Sequence, residues 1–174
     1  MDRQQALVDI NLKWLRQALE LLEEVDHRQY TESPLGLEPH KAGAHLRHVL
    51  EFYECFLEGL DSGAVDYDAR RRDLSIEASR RAAAGRIRQI MHRLETSPLV
   101  RRDAELRVRL EDAQACSVDD PFVRSSVARE LQVLSSHTIH HFALIGITLQ
   151  AHGMRLDQDF GVAPSTLRHR LEAA

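Results

Sequence analysis

Between residues 4 and 28 the chain carries no glycine and no proline, and Leu7, Ile10, Trp14, Ala18, Leu21 and Val25 recur at steps of three and four. That spacing puts all six on one face of an α-helix. A helix with one apolar face has to bury it against another element, so this pattern restricts the chain to a packed, layered fold. The pattern returns three times. Residues 40 to 60 carry Leu46, Val49, Tyr53, Phe56 and Leu60, and residues 75 to 95 carry Ala78, Ala82, Ile87, Ile90, Met91 and Leu94. A last run to His152 carries Val127, Leu131, Leu134, Leu144, Ile145 and Leu149. Ser75 and either Ser125 or Ser126 are placed to cap the third and fourth helices, and Gly153 to stop the fourth. Pro34, Gly36 and Pro39 separate the first two helices, and Gly59, Asp61, Ser62 and Gly63 close the second.

Residues 96 to 124 break the helical period. Glu105 to Glu111 alternates apolar and charged side chains, which predicts a short strand, paired in a hairpin with residues near Cys116 to Val118. The expected fold is therefore all-α: a four-helix bundle with long crossover connections, one domain over residues 1–174, with a short β-hairpin between the third and fourth helices. The tail, from Gly161 to Ser165, is expected to pack onto the bundle and end in a helical turn.

Charge limits the partners. The 174 residues hold 23 Lys plus Arg against 27 Asp plus Glu, a net charge of -4 with histidine neutral. This excludes non-specific nucleic-acid binding and an anionic membrane surface, both of which need a positive field. No apolar run approaches the ~20 residues of a membrane-spanning helix. Met1 to Gln5 lacks the basic start and apolar core of a signal peptide, and Cys55 and Cys116 form no metal or redox motif, so the expected location is the cytoplasm.

The chain has 10 histidines, and several cluster. His137-Thr138-Ile139-His140-His141 lies on the fourth helix. Residues four apart share a face one turn apart, so His137 and His141 can bind one metal ion; imidazole suits Zn, Ni, Fe or Cu. On a helical wheel His141 falls within the apolar arc, His137 at its edge and His140 outside it. Glu130, seven residues before His137 on nearly the same azimuth, is a candidate to hold an imidazole through its second nitrogen. The second helix offers His45 or His48 as a third ligand, and the wheel prefers His45, because His48 lies on the flank of the stripe. Three histidines with open coordination positions are the pattern of a catalytic metal.

Gly43-Ala44-His45-Leu46-Arg47-His48-Val49-Leu50-Glu51 and Ser136-His137-Thr138-Ile139-His140-His141 resemble the DinB-like family of metal-binding four-helix bundles, which includes bacillithiol-transferase-type proteins. With the helix layout, the resemblance covers most of the chain. The family's second-helix motif is a histidine, two apolar residues and an acid, here His48-Val49-Leu50-Glu51. The resemblance implies His48, His137 and His141 as ligands, with His45 as the alternative to His48 and Glu51 as a further supporting carboxylate. It implies a divalent metal (Zn, Ni, Fe or Mn), a small-molecule substrate and a homodimer. The implied chemistry is transfer of a low-molecular-weight thiol (bacillithiol, mycothiol or glutathione) onto an electrophile, or a related hydrolysis or isomerisation. A non-catalytic metal-binding or scaffold bundle is the alternative.

Other signals carry less. Asp159-Phe160-Gly161 has no accompanying phosphate loop. The fourth-helix histidines lack the glutamate of a zinc-protease helix. Arg80, Arg81, Arg86, Arg88 and Arg93 are expected to face water. The Arg70-Arg71-Arg72 run, following Tyr67 and Asp68, reads as a solvated loop that could meet an anionic substrate if it folds over the metal.

Overall fold

The four long helices form, but two of them start or stop earlier than their apolar period predicts. A computed structural model describes residues 2–111 and 119–172. Helix α1 (Arg3–Glu24) ends before Val25, and a single turn, α2 (His27–Thr31), follows. The break lies at Asp26, whose carboxylate accepts from the Gln29 backbone while the Gln29 side chain bonds back to the Asp26 backbone. This reciprocal cap starts a new helix instead of extending the old one. Helix α3 (Ala42–Gly59) matches the expected second helix. The expected third helix is split into α4 (Leu74–Ala78) and α5 (Arg80–Thr96). Asp73, not Ser75, caps α4, and Ser79 breaks the chain by accepting from the Ala82 backbone. As a result Ala78 is exposed and Ala83 takes the buried position. Helix α6 (Val127–Ala151) begins at the Ser126 cap, and Gly153 follows it with φ +83°. Helix α7 (Pro164–Glu172) forms the tail.

The chain is mainly helical but not all-α. Strands β1 (Ala64–Val65), β2 (Glu105–Arg109) and β3 (Phe122–Ser126) form a sheet in that order. β1 runs parallel to β2, and β2 antiparallel to β3 with Leu106 opposite Ser125 and Val108 opposite Val123. The alternating segment is thus a strand, but its partner is 122–126. The expected partner near Cys116 to Val118 lies outside the described residues.

Helices α1 and α3 each pack on both α5 and α6. Between them lies a core that includes Trp14, Leu50, Tyr53, Phe56, Ile87, Leu131 and Phe142. A buried polar set fixes how three of the helices align. The Tyr53 hydroxyl donates to Asn11 Oδ1 at 2.7 Å, Asn11 Nδ2 donates to the Leu131 carbonyl at 3.0 Å, and Trp14 Nε1 donates to Ser135 Oγ at 2.9 Å. Each such group is costly if left unpaired, so α1, α3 and α6 are held in one axial alignment.

Arg80 and Arg86 of α5 are drawn partly out of water, contrary to expectation, while Arg81, Arg88 and Arg93 are exposed as expected. Arg80 donates to the Leu22 and Val25 carbonyls at the end of α1, and Arg93 to the Leu57 carbonyl at the end of α3. Arg86 pairs with Glu54 and Asp73. The first two neutralise carbonyls that a helix end leaves unpaired. The tail docks where Phe160 stacks on Phe142 at 5.2 Å. The next residue, Gly161, has φ +66°, and a Cβ there would meet Phe142 Cβ at 2.8 Å, so the Asp159-Phe160-Gly161 tripeptide does packing work. Among the described residues no helix is long and apolar enough to cross a membrane.

Candidate metal centre

Helix α3 presents His45 and His48, and α6 presents His137, His140 and His141. The packing of α3 on α6 brings one ring nitrogen each of His48, His137 and His141 within 4.8 Å of one another. His48 Nε2 and His137 Nε2 are 3.2 Å apart. Two nitrogens bound to one tetrahedral ion lie about 3.3 Å apart, given metal–nitrogen bonds of about 2.0–2.1 Å. The separation therefore fits a shared ion. All three residues are half-buried, whereas His140 is exposed and only touches the His141 ring edge-on at 5.1 Å.

The electrostatics fit the same use. Burial, then repulsion from His48, pushes His137 down to about 4. Burial and the nearby guanidinium groups of Arg70 and Arg47 push His48 down to about 4. Burial and the surrounding imidazoles push His141 down to about 3. At neutral pH the cluster is therefore three uncharged imidazoles, the form that binds a metal. His137 Nδ1 is buried with no hydrogen-bond partner among the described residues.

His45 lies beside this cluster. Its Nδ1 is 3.2 Å from His141 Nδ1, and its Nε2 is 3.3 Å from Nδ1 of the exposed His40. Occupying His141 Nδ1 in this way leaves Nε2 of that ring for an ion. The wheel preferred His45 as the ligand because it judged α3 alone. The structure gives the clustered position to His48, and His45 supports it from behind.

An aromatic wall backs the other side. Phe52 stacks on His137 at 3.9 Å and on Tyr67 at 4.8 Å. The Tyr67 hydroxyl donates to Glu130 Oε2 at 2.7 Å, and Ser125 Oγ donates to Glu130 Oε1 at 2.5 Å. Glu130 thus reaches the cluster only through Tyr67 and Phe52, not through a hydrogen bond to an imidazole. Seven residues of helix set it about 10 Å below His137 along the axis. Glu51 is also engaged elsewhere, accepting from the Asp73 backbone at 2.8 Å and from Arg47 at 3.4 Å. It anchors the turn into α4. Phe52 and Tyr67 were missed as site residues; the one available signal was that Phe52 follows His48 by four, on the same face of α3. His48, His137 and Phe52 open onto a cleft of about 670 Å³, to which the loop after β1 contributes Asp68, Arg70 and Arg72.

No family model matches the chain. A curated protein described as FK506-binding protein 5, from Rhizopus delemar, is 35% identical over 105 residues. The match covers 60% of this chain and 27% of that protein, so the chain spans about a quarter of the length of the relative it matches.

Proposed function

We propose that the chain is a divalent-metal-dependent enzyme of the DinB-like kind, a four-helix bundle that holds one ion on His48, His137 and His141. The observation that carries this reading is the cluster of three uncharged imidazoles with donor atoms within 4.8 Å, opening onto a cleft. Three protein ligands leave a coordination position for an exogenous group, as in catalytic sites. The packing of α1 and α3 each against α5 and α6 supports the bundle.

When bound, the ion would supply a Lewis acid that makes a coordinated thiol or water acidic near neutral pH. The chain's own residues do the rest. His45 orients the His141 ring, and Phe52 with Tyr67 shields one face of His137 and holds its plane. We assign the reaction first to transfer of a low-molecular-weight thiol onto a small electrophile, as the DinB-like resemblance implies; sulfur donors are compatible with a Zn-type ion. Hydrolysis or isomerisation at the same position is the related alternative. A homodimer follows from the same resemblance, and a cytoplasmic location from the absence of a signal-peptide pattern at Met1 to Gln5 and the cysteine usage. The match to FK506-binding protein 5 does not carry that protein's ligand to this chain, since most of that protein lies outside the alignment.

The test is elemental analysis of untagged protein purified without chelator. About one ion per chain in the wild type, lost in His48→Ala and in His137→Ala, is the expected result. Full metal retained in both variants refutes the ligand set. A wild type that takes up no Zn, Ni, Mn or Fe leaves the non-catalytic scaffold as the reading.

A further inference from the structure

Three arginines follow the 3-10 turn at Tyr67–Ala69, and their environments differ. Arg71 turns away and pairs with Glu58 at 2.7 Å. Arg70 turns to the cleft. Its guanidinium lies over the Phe52 ring at 5.0 Å and donates to the Tyr67 carbonyl at 2.6 Å. Phe52 in turn stacks on His137, so Arg70 is fixed by the same wall that fixes a metal ligand. Arg72 lines the cleft as well, with a backbone φ of +53°, a conformation that disfavours any side chain bearing a Cβ.

Neither Arg70 nor Arg72 takes part in an ion pair among the described residues. The carboxylates around them are held by other groups. Asp66 is bound by Arg109 at 2.8 Å, Asp73 by Arg86 at 3.2 Å, Glu51 by Arg47, and Glu130 by Tyr67 and Ser125. Asp68 and Glu111 also line the cleft and match the two guanidinium charges one for one. Three neutral imidazoles add no charge. A divalent ion on them would then leave the cleft positive, and a positive cleft recruits and orients anions.

We propose that Arg70, with Arg72, forms an oxyanion subsite beside the metal cluster, so that the substrate or thiol carries a carboxylate or phosphate group. The inference rests on the metal-site reading for its catalytic meaning, and names the substrate class for that site. Arg70 is the anchor, because its guanidinium is held both over the Phe52 ring and by the Tyr67 carbonyl, and its remaining N–H groups can meet an oxyanion by paired hydrogen bonds. Arg72 contributes a second guanidinium to the same cleft.

Calorimetric titration of inorganic phosphate and of acetate into the full chain, metal-free and metal-loaded, at constant ionic strength tests this. Saturable binding of one or both probes by the wild type is expected. Arg70→Ala is expected to weaken it about tenfold or more, the scale of a lost charge-assisted pair, with metal content unchanged. Arg71→Ala is expected to stay within twofold. Arg72→Ala, at an exposed position, supplies the same comparison if Arg70→Ala does not fold. Preference for phosphate or acetate decides which oxyanion the subsite favours. The inference is overturned if the wild type binds neither probe, or if Arg71→Ala and Arg70→Ala lose affinity equally. It is also overturned if phosphate binds the metal-loaded protein independently of Arg70 and Arg72, an outcome that leaves the metal site standing. Absence of metal from the wild type, read separately, strikes the metal reading instead.

Discussion

Replacing His45 by alanine separates a residue that holds a ligand from one that is a ligand. In the structure His45 Nδ1 lies 3.2 Å from His141 Nδ1, and its other nitrogen is 3.3 Å from His40. An ion bound through His141 Nε2 leaves Nδ1–H to donate to His45. Alanine removes that acceptor, lets the His141 ring turn, and lowers the basicity of its ligating nitrogen. Outer partners of this kind are worth about 10–100-fold in metal affinity, which is about 1.4–2.8 kcal/mol since each 1.4 kcal/mol is tenfold. The lower half of that range is expected here, because the pair is only half-buried and water can replace the lost acceptor. The assay is competition for the ion between the protein and a chromophoric chelator at pH 7.5. His45→Ala is expected to keep about one ion per chain with affinity reduced about tenfold, and His45→Gln to recover part of the loss. His48→Ala is expected to lose stoichiometric binding, because two imidazoles remain. An affinity unchanged in His45→Ala would refute the supporting role. Complete loss of the ion in His45→Ala, with retention in His48→Ala, would refute the choice of His48 over His45 as the ligand from α3.

His48, His137 and His141 sit well below the ordinary value of 6.5 in the fold, at about 4, about 4 and about 3. Between those values and 6.5 the unfolded chain therefore binds more protons, and metal-free stability is full above that window and declines as pH falls through it. Urea midpoints of chelator-treated protein at pH 7.5, 6 and 5 check this; His137→Ala should flatten the profile, and an equally steep profile in that variant contradicts the cause. Tyr67→Phe removes one of the two donors to buried Glu130. It is expected to cost about 1–3 kcal/mol, or about 2–4 °C of melting temperature per kcal/mol for a chain of this size, with metal content retained. Gly43→Ala would set a Cβ 2.5 Å from the Glu77 carbonyl, where α3 passes α4; a loss of about 1–3 kcal/mol is expected, and an unchanged melting temperature would mean that this approach is looser than described.

Much of the helical scaffold was legible because it is local. The three-and-four spacing of Leu46, Val49, Tyr53, Phe56 and Leu60 needs nothing beyond α3 to be recognised, and all five are buried. The Ser126 cap and the Gly153 stop of α6 are also local chemistry. The splits at Asp26 and Ser79 lay in the residues too, as a capping box and an ordinary serine cap, but the continuing apolar period concealed them. β1 was not legible: two residues carry no period, and Ala64–Val65 is a strand only because β2 lies alongside it.

The candidate site divides in the same way. Spacing on one helix determined that His137 and His141 share a face and that His140 does not. On α3 it favoured His45, against the His48 that the family resemblance implied, because a wheel gives direction around one axis and says nothing of where a second helix crosses it. The packing of α3 on α6 brings His48 into the cluster, setting side chains 89 residues apart, His48 and His137, at 3.2 Å. The same limit applies to Glu51, Glu130 and the arginines. The sequence by itself settled which residues carry charge and which face of each helix is apolar. Only tertiary structure decided that Glu51 holds a turn, that Glu130 holds Tyr67, that Arg80 and Arg93 cap neighbouring helices, and that Arg70 lies against the wall beside His137. Their partners lie on other elements, and hydrogen bonds and ion pairs act over a few ångströms of space regardless of separation along the chain.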